Sequence, residues 1–253
     1  MNKKSLLIIF IILLVIVSGF FVYRNWLLKI FSDYQNSLIL PQEKPEIGDA
    51  LISEANDKYE IDVKYPEFKG LTNSENFNKV LEGKFQSNVE GFKSDADENS
   101  IEEVGAPSQL QIGYEVMLFT NNVVSLRFNT LYYIAGMAHP NAYYESVNYD
   151  FKNNKEIVIS DLFNSGIDYL LELSNISRDA LKKQIESDYY SEDFVLPGTE
   201  PKEENFTVFN FDKDKLIITF NPYQVGPWVL GAQFVEVPFD QLQGFNAQSD
   251  FLK

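Results

Sequence analysis

The chain has 253 residues, of which 45% are hydrophobic and 15% aromatic, enough apolar side chain for a sizeable core. It carries a formal charge of −16, one histidine and no cysteine. These counts exclude a disulfide framework, a thiol nucleophile, a thiolate metal site and a zinc site built on several histidines.

The charge is uneven along the chain. Residues 1–31 hold Lys3, Lys4, Arg24 and Lys29 and no acid. Taking those four from the 21 bases leaves 17 against 37 acids, a net of −20 for the remainder. Such a surface repels phosphate backbones, so no nucleic acid is expected as a partner. It favours solubility and draws in a cationic partner.

Lys3 and Lys4 precede an unbroken apolar run from Leu6 to Tyr23. About 18 residues is the short end of a bilayer span. The run is long for a signal-peptide core, and no small-x-small cleavage pair follows it. Residues 1–31 therefore read as a single-pass signal anchor that crosses the membrane through residues 6–23. The amino terminus is expected inside, with no cytoplasmic domain ahead of the span, and the main domain outside. The alternative is secretion after signal-peptide cleavage.

Residues 32–56 read as an extended tether, because Pro41 and Pro45 break structure and no period holds. The tether contains one apolar island, Leu38-Ile39-Leu40. From residue 57 to 253 the pattern is that of a folded domain. Its amino-terminal half is expected at about 57–107 and its carboxy-terminal half at about 108–245.

Tyr59 to Tyr65 alternates apolar and polar, a half-buried strand that Pro66 is expected to end. Thr72-Asn73-Ser74-Glu75 has the spacing of a capping box. Phe77, Leu81, Phe85, Val89 and Phe92 then recur on one helical face. Asp95–Glu103 reads as a solvated loop or a fraying helix end.

Leu110 to Thr120 alternates again, placing Leu110, Ile112, Tyr114, Val116 and Leu118 on one face. Asn121-Asn122 suits a tight hairpin, after which Val123–Ile134 runs back. Tyr143–Lys152, the turn Asn153-Asn154 and Glu156–Ile159 complete a four-strand antiparallel meander. Between strands lies Gly136–Tyr144, which holds the lone His139 and reads as a crossing between two halves of a sheet.

Ser160–Phe163 is a turn or short helix. Leu170, Leu171, Leu173, Ile176, Leu181 and Ile185 mark a second amphipathic helix to about Ser187. Tyr189–Asn205 reads as an acidic loop. Phe206–Phe211 and Leu216–Phe220 flank an Asp212–Asp214 turn. A Pro- and Gly-rich loop spans Asn221–Gly231, Gln233–Pro238 is a last strand and Asp240–Leu242 a closing turn. Strands outnumber helices and meet at hairpins. This order predicts an α+β fold, with antiparallel sheet or sheets and two main amphipathic helices, preceded by one transmembrane helix.

Several motifs resemble a known family: Gly136, Ala138-His139-Pro140-Asn141, Asn148-Tyr149-Asp150, Ile159-Ser160-Asp161-Leu162-Phe163, Tyr223-Gln224-Val225-Gly226-Pro227-Trp228, Gly231 and Val237-Pro238. Together they resemble the extracellular domain of anti-sigma-V factors of the RsiV type. A similar domain precedes the catalytic domain of the peptidoglycan deacetylase PdaC. The likeness covers roughly Tyr59 to Leu242. It implies an extracytoplasmic α+β binding domain, which in RsiV recognises lysozyme. The cytoplasmic sigma-binding segment of RsiV and the deacetylase domain of PdaC have no counterpart among the 253 residues.

The residues themselves single out no catalytic set. A serine triad would need His139 as its base, and no Gly-x-Ser-x-Gly elbow is present. Asp212-Lys213-Asp214 lacks calcium-loop spacing. No metal and no cofactor is expected, and no carboxylate pair stands out for glycan cleavage. His139 is expected to hold its loop by hydrogen bonds to backbone, with His139 and Asn141 at one rim of a binding surface. The rigid loop after Phe220 presents Tyr223 and Trp228, aromatic anchors of the kind that dominate interfaces, unless Trp228 packs inward.

The expected function is a non-enzymatic, membrane-anchored binding or sensor domain. Its partner would be a basic protein such as lysozyme, or peptidoglycan. The rival is a cell-wall glycan-acting enzyme using His139 or a carboxylate.

Overall fold

The computed structural model describes residues 23–30, 44–101 and 105–246. The chain divides into two compact units, residues 1–43 and 44–253. In the first, residues 23–30 are helical and exposed. The expected membrane span lies, except for Tyr23, outside the described residues, as do residues 32–43 of the expected tether. Among the described residues no helix is long and apolar enough to cross a membrane.

The second unit is α+β. A six-stranded sheet has the order β1 (Glu46–Ala55), β2 (Tyr59–Lys69), β3 (Ser108–Phe119), β4 (Val123–Tyr133), β5 (Asn141–Asp150) and β6 (Lys155–Glu156). A second sheet holds β7 (Phe209–Phe211), β8 (Lys215–Phe220) and β9 (Gln233–Pro238). The long helices are α1 (Ser74–Asn99) and α2 (Tyr169–Gln184), and the short α3 is Glu192–Gly198. Every strand pair is antiparallel except β2–β3, which α1 connects as a parallel crossover.

The end of the expected tether is a strand. β1 pairs with β2 along its whole length, from Glu46 opposite Lys69 to Ala55 opposite Glu60. Asn56 turns the hairpin by accepting the N–H groups of Lys58 and Tyr59 (2.8 and 3.0 Å). The strand was hidden because it is an edge that buries little, with Leu51 66% exposed. Pairing to β2, rather than alternation, creates it. Pro66 does not end β2. The parallel pairing to β3 stops at Val63, so beyond it one side of β2 has no ladder that a missing N–H could interrupt.

Two carboxylates tie β1 down. Asp49 pairs with Lys64 (2.8 Å) and accepts the Tyr114 hydroxyl (2.6 Å). Glu54 pairs with Lys93 and accepts the Tyr59 hydroxyl (2.8 Å). Lys64 for Asp49, and Lys93 for Glu54, are the main reasons both carboxyls sit below their ordinary values. A lowered folded pKa adds stability above the unfolded value of about 4, and that contribution is lost as pH falls through the folded value. Hydrogen exchange, corrected for intrinsic rates, should therefore show β1 amides losing protection before β4 amides on acidification. Asp49→Asn with Glu54→Gln should flatten that difference.

The capping box is absent. Asn73 caps α1 in a left-handed conformation (φ 59°) with no side-chain bond to the helix. Its amide instead donates to the Phe151 carbonyl (2.7 Å). The predicted stripe is correct, for Phe77, Leu81, Phe85, Val89 and Phe92 are all buried against the sheet. Each fully buried side chain of this kind contributes about 1.5–3 kcal/mol. Of the loop or helix end expected at Asp95–Glu103, the helix end is found, with the helix reaching Asn99 because Ala96 extends the buried face by one turn.

β3 does not keep its apolar residues on one face. A bulge between Val116 and Leu118 inverts the alternation. Leu110 and Ile112 join the core under α1, whereas Leu118 joins the core of the smaller sheet and α2. The hairpin at Asn121-Asn122 forms, held by the Thr120 hydroxyl accepting the N–H groups of Asn122 and Val123 (3.2 and 3.0 Å). Neither asparagine takes positive φ; that falls to Asn154 (φ 53°) in the next turn. β6 stops at Glu156, and Ile159–Leu162 is a 3-10 turn.

In α2, Leu173 and Leu181 are buried but Leu171 is 46% exposed. The expected acidic loop contains α3, whose N-cap Ser191 accepts the Asp193 N–H (3.3 Å). Pro197 is tolerated in its last turn. Glu203–Phe206 is a 3-10 turn, so β7 begins at Phe209.

The smaller sheet meets the larger through side chains. Asn210 donates to Ser125 Oγ and to the Leu126 carbonyl (3.0 and 2.8 Å). Asn148 donates to the Phe209 carbonyl (2.9 Å), and Ser146 Oγ accepts the Phe209 N–H (3.1 Å). β4 and β5 thereby place the β4–β5 turn beside the loop that follows β8.

Candidate functional site

Gly136–Pro140 is part of a hairpin connection rather than a crossing, and Asn141–Tyr144 already belong to β5. β4 and β5 are neighbours in one sheet, with Tyr132 opposite Asn141. Gly136 takes φ 104°, and a Cβ there would lie 2.7 Å from the Ile101 side chain, so glycine is required. Met137 N–H closes the turn on the Ile134 carbonyl (2.9 Å). His139 is thereby carried to the end of the sheet.

The second loop is held by Asn221, which the sequence did not single out. Its carboxamide accepts the Tyr144 N–H (2.7 Å) and donates to the Tyr144 carbonyl (2.9 Å). One side chain thus pairs with the outer edge of β5 as a strand would, and caps it. Gln224 donates to the carbonyls of Gly198 and Asn205 (3.1 and 3.0 Å), and its Oε1 accepts the Asn221 N–H (3.2 Å). Tyr223, between them, is held at φ 72°, a conformation costly for a non-glycine residue. It projects outward, 55% exposed.

The two loops meet ring to ring. His139 and Trp228 have centroids 4.4 Å apart with planes 31° from parallel. His139 Nδ1–H donates to the Pro140 carbonyl (3.1 Å), and Nε2 lies at the outer limit of hydrogen bonding, 3.5 Å, from the Tyr223 hydroxyl. Trp228 does not pack inward; it is 38% exposed. His139, Tyr223 and Trp228 form one continuous rim, and Asn141 lies in the cleft beside it.

The cleft has a volume of about 420 Å³, with Tyr132, Asn141, Ala142, Tyr143, Asn221, Pro222, Tyr223 and Trp228 in its walls. Tyr132 donates to Asp95. Burial first, and then that carboxylate, holds its phenol above the ordinary value. Burial, then Glu145, does the same for Tyr143. Both remain neutral through physiological pH. Tyr144 presents its peptide groups to Asn221, so Ala142, two residues earlier, presents its own to the same edge. Among the described residues those groups of Ala142 have no partner. The cleft therefore offers one donor, one acceptor, a carboxamide and several aromatic surfaces.

The hydrogen bonds of His139 reach neither a serine nor a carboxylate. Among the described residues no three of His, Asp and Glu gather in a way that could hold a metal ion. The arrangement presents aromatic faces and polar edge groups at the surface. Asn221→Ala should cost about 1–3 kcal/mol, since it strips partners from a strand edge. Urea denaturation would measure this, and Tyr144 N–H should gain exchange in the variant.

Residues 52–142 match the family described as deacetylase PdaC, and residues 160–240 match the protein family of unknown function DUF3298. The chain is 31% identical over 176 residues to the peptidoglycan-N-acetylmuramic acid deacetylase PdaC of Bacillus subtilis (strain 168), covering 69% of this chain but 36% of PdaC. It is 25% identical over 191 residues to the anti-sigma-V factor RsiV of the same organism, covering 74% of this chain and 65% of RsiV. The chain thus spans about a third of one relative and just under two thirds of the other. Two crystal structures of DUF3298 proteins share the fold. One, from Bacteroides fragilis, has TM-score 0.54 at 17% identity, over 84% of this chain and 98% of its own. The other, from Pseudomonas aeruginosa, has TM-score 0.56 at 9% identity, over 81% and 95%. The chain is similar to RsiV and PdaC, and its segment matching the PdaC model is followed by one matching the DUF3298 model.

Proposed function

We propose that residues 44–246 form a non-catalytic, extracytoplasmic binding or sensor domain of the RsiV type, anchored to a membrane through residues 6–23. Its partner would be a basic protein such as lysozyme, or a cell-wall component. One observation carries this: the two most distinctive sequence stretches, with His139 and Tyr223 84 residues apart, converge on a single exposed aromatic cleft around His139, Tyr223 and Trp228. Exposed tyrosine and tryptophan on a rigid loop are suited to anchor a macromolecular contact. The net charge of −20 beyond residue 31 favours a cationic partner over an anionic one.

The test is calorimetric titration of the full chain with lysozyme and with soluble peptidoglycan fragments. Tyr223→Ala with Trp228→Ala should weaken binding by about 30-fold or more, the loss of at least one interface anchor. Absence of binding to either, or equal binding by the double variant, would overturn the assignment.

A further inference from the structure

A second cleft opens farther along the β5 edge, on the other side of the Asn221 cap. Its volume is about 260 Å³. Ile157 and Phe209 give it apolar walls, and Glu156 and Glu203 stand exposed among the residues lining it. Asn148, only 2% exposed, also lines it, and its Oδ1 has no hydrogen-bond partner. The Asn148 amide nitrogen is committed to the Phe209 carbonyl (2.9 Å), which fixes Oδ1 as the unsatisfied end. Ser146 belongs to the same alternation as Tyr144, so its carbonyl faces this edge as well.

The polar groups here are predominantly acceptors, and among the described residues no lysine, arginine or histidine lines the cleft. Glu203 is steadied by the Tyr169 hydroxyl (3.0 Å). Among the described residues no three of His, Asp and Glu gather here, so a hard divalent cation would lack the cluster of carboxylates that usually holds it. A primary ammonium needs three acceptors, and its alkyl stem needs apolar walls.

We propose that this cleft receives a lysine side chain of a basic protein partner. The ammonium would lie among Glu156, Glu203 and the deeper acceptors, with its methylenes along Ile157 and Phe209. The identity of the lysine's bearer rests on the proposed binding function; the ammonium chemistry of the cleft does not. The Asn221 cap makes the two clefts separate subsites on one strand edge, one aromatic and one acidic.

The probe is Nα-acetyl-lysine methylamide, with the norleucine analogue as its uncharged counterpart, added to the full chain and followed by amide NMR. The lysine compound should saturably shift Ser146, Ile157 and Phe209, and the norleucine compound should not. Glu156→Gln with Glu203→Gln should weaken the lysine compound by about tenfold or more while leaving the remaining spectrum in place. The same variant, with Tyr223 and Trp228 intact, should lose affinity for lysozyme but not for lysozyme whose lysines have been acetylated. No saturable shift, equal shifts by both compounds, or an unaffected double variant would overturn the pocket. Lysozyme affinity unchanged by the variant would overturn the protein lysine as its occupant. Weakened lysozyme binding in the Tyr223 and Trp228 variant alone would uphold the aromatic cleft without this one.

Discussion

Gly198→Ala is expected to destabilise the domain by about 3 kcal/mol or more and to abolish partner binding at the aromatic cleft. The added methyl would lie 1.9 Å from the Gln224 carbonyl oxygen and 2.8 Å from its carbon. Those are backbone atoms, so no rotamer change can relieve the clash. Either α3 or the loop after β8 must move. Gln224 is bonded to the Gly198 and Asn205 carbonyls, and to Asn221, which caps Tyr144. A displacement of Gln224 therefore reaches β5 through Asn221. Urea denaturation would show the loss of stability, and titration the loss of binding. A variant with the midpoint and affinity of the parent would mean that the loop is not held by this contact.

Phe77→Ala should cost about 3–5 kcal/mol with a much smaller effect on the geometry of the cleft. Phe77 is fully buried and stacks on Tyr149 with centroids 4.2 Å apart. It also meets Phe68 and Phe151, each at 5.5 Å. Removing its ring empties the junction between the first turns of α1, the end of β2 and the end of β5. Its neighbours are aromatic and fixed by one another, so the space collapses only partly. A loss below about 1 kcal/mol would show that the junction repacks freely. The paired outcomes distinguish the two sites: Phe77→Ala separates stability from binding, whereas Gly198→Ala changes both.

Much of this architecture was legible because it follows local periods. The α1 stripe from Phe77 to Phe92 and the four-strand meander are patterns that a single element carries by itself. What was not legible depends on distant partners. β1 exists because β2 offers an edge, and the apolar residues of β1 are too few and too irregular to announce it. The bulge at Met117 leaves the sequence alternation intact while exchanging the faces beneath it, so Leu118 reads as a neighbour of Ile112 and packs in another core. The Thr72–Glu75 pattern had the spacing of a capping box, but Asn73 is bonded to Phe151 instead, a contact across 78 residues.

For the cleft, the aromatic and histidine signals were visible, and His139, Asn141, Tyr223 and Trp228 do come together. The roles of Asn221, Gln224 and Gly198 in holding it were not visible, although Gln224 lies in the Tyr223–Trp228 motif. An asparagine after a strand signals a turn, and nothing local identifies Tyr144, 77 residues earlier, as the backbone it completes. Tyr132 and Tyr143 were counted as strand residues because their place in the wall depends on the loop that closes over them.

The central claim is that a partner seats between the β4–β5 turn and the loop after β8. Hydrogen exchange of the full chain with and without saturating lysozyme tests it most directly. The Ala142 N–H, unpaired and facing the cleft in the free protein, should exchange rapidly alone and become protected in the complex, together with residues 139–144 and 221–231. Protection confined to the outer face of α1 or to β1, with Ala142 still exchanging rapidly, would contradict the account.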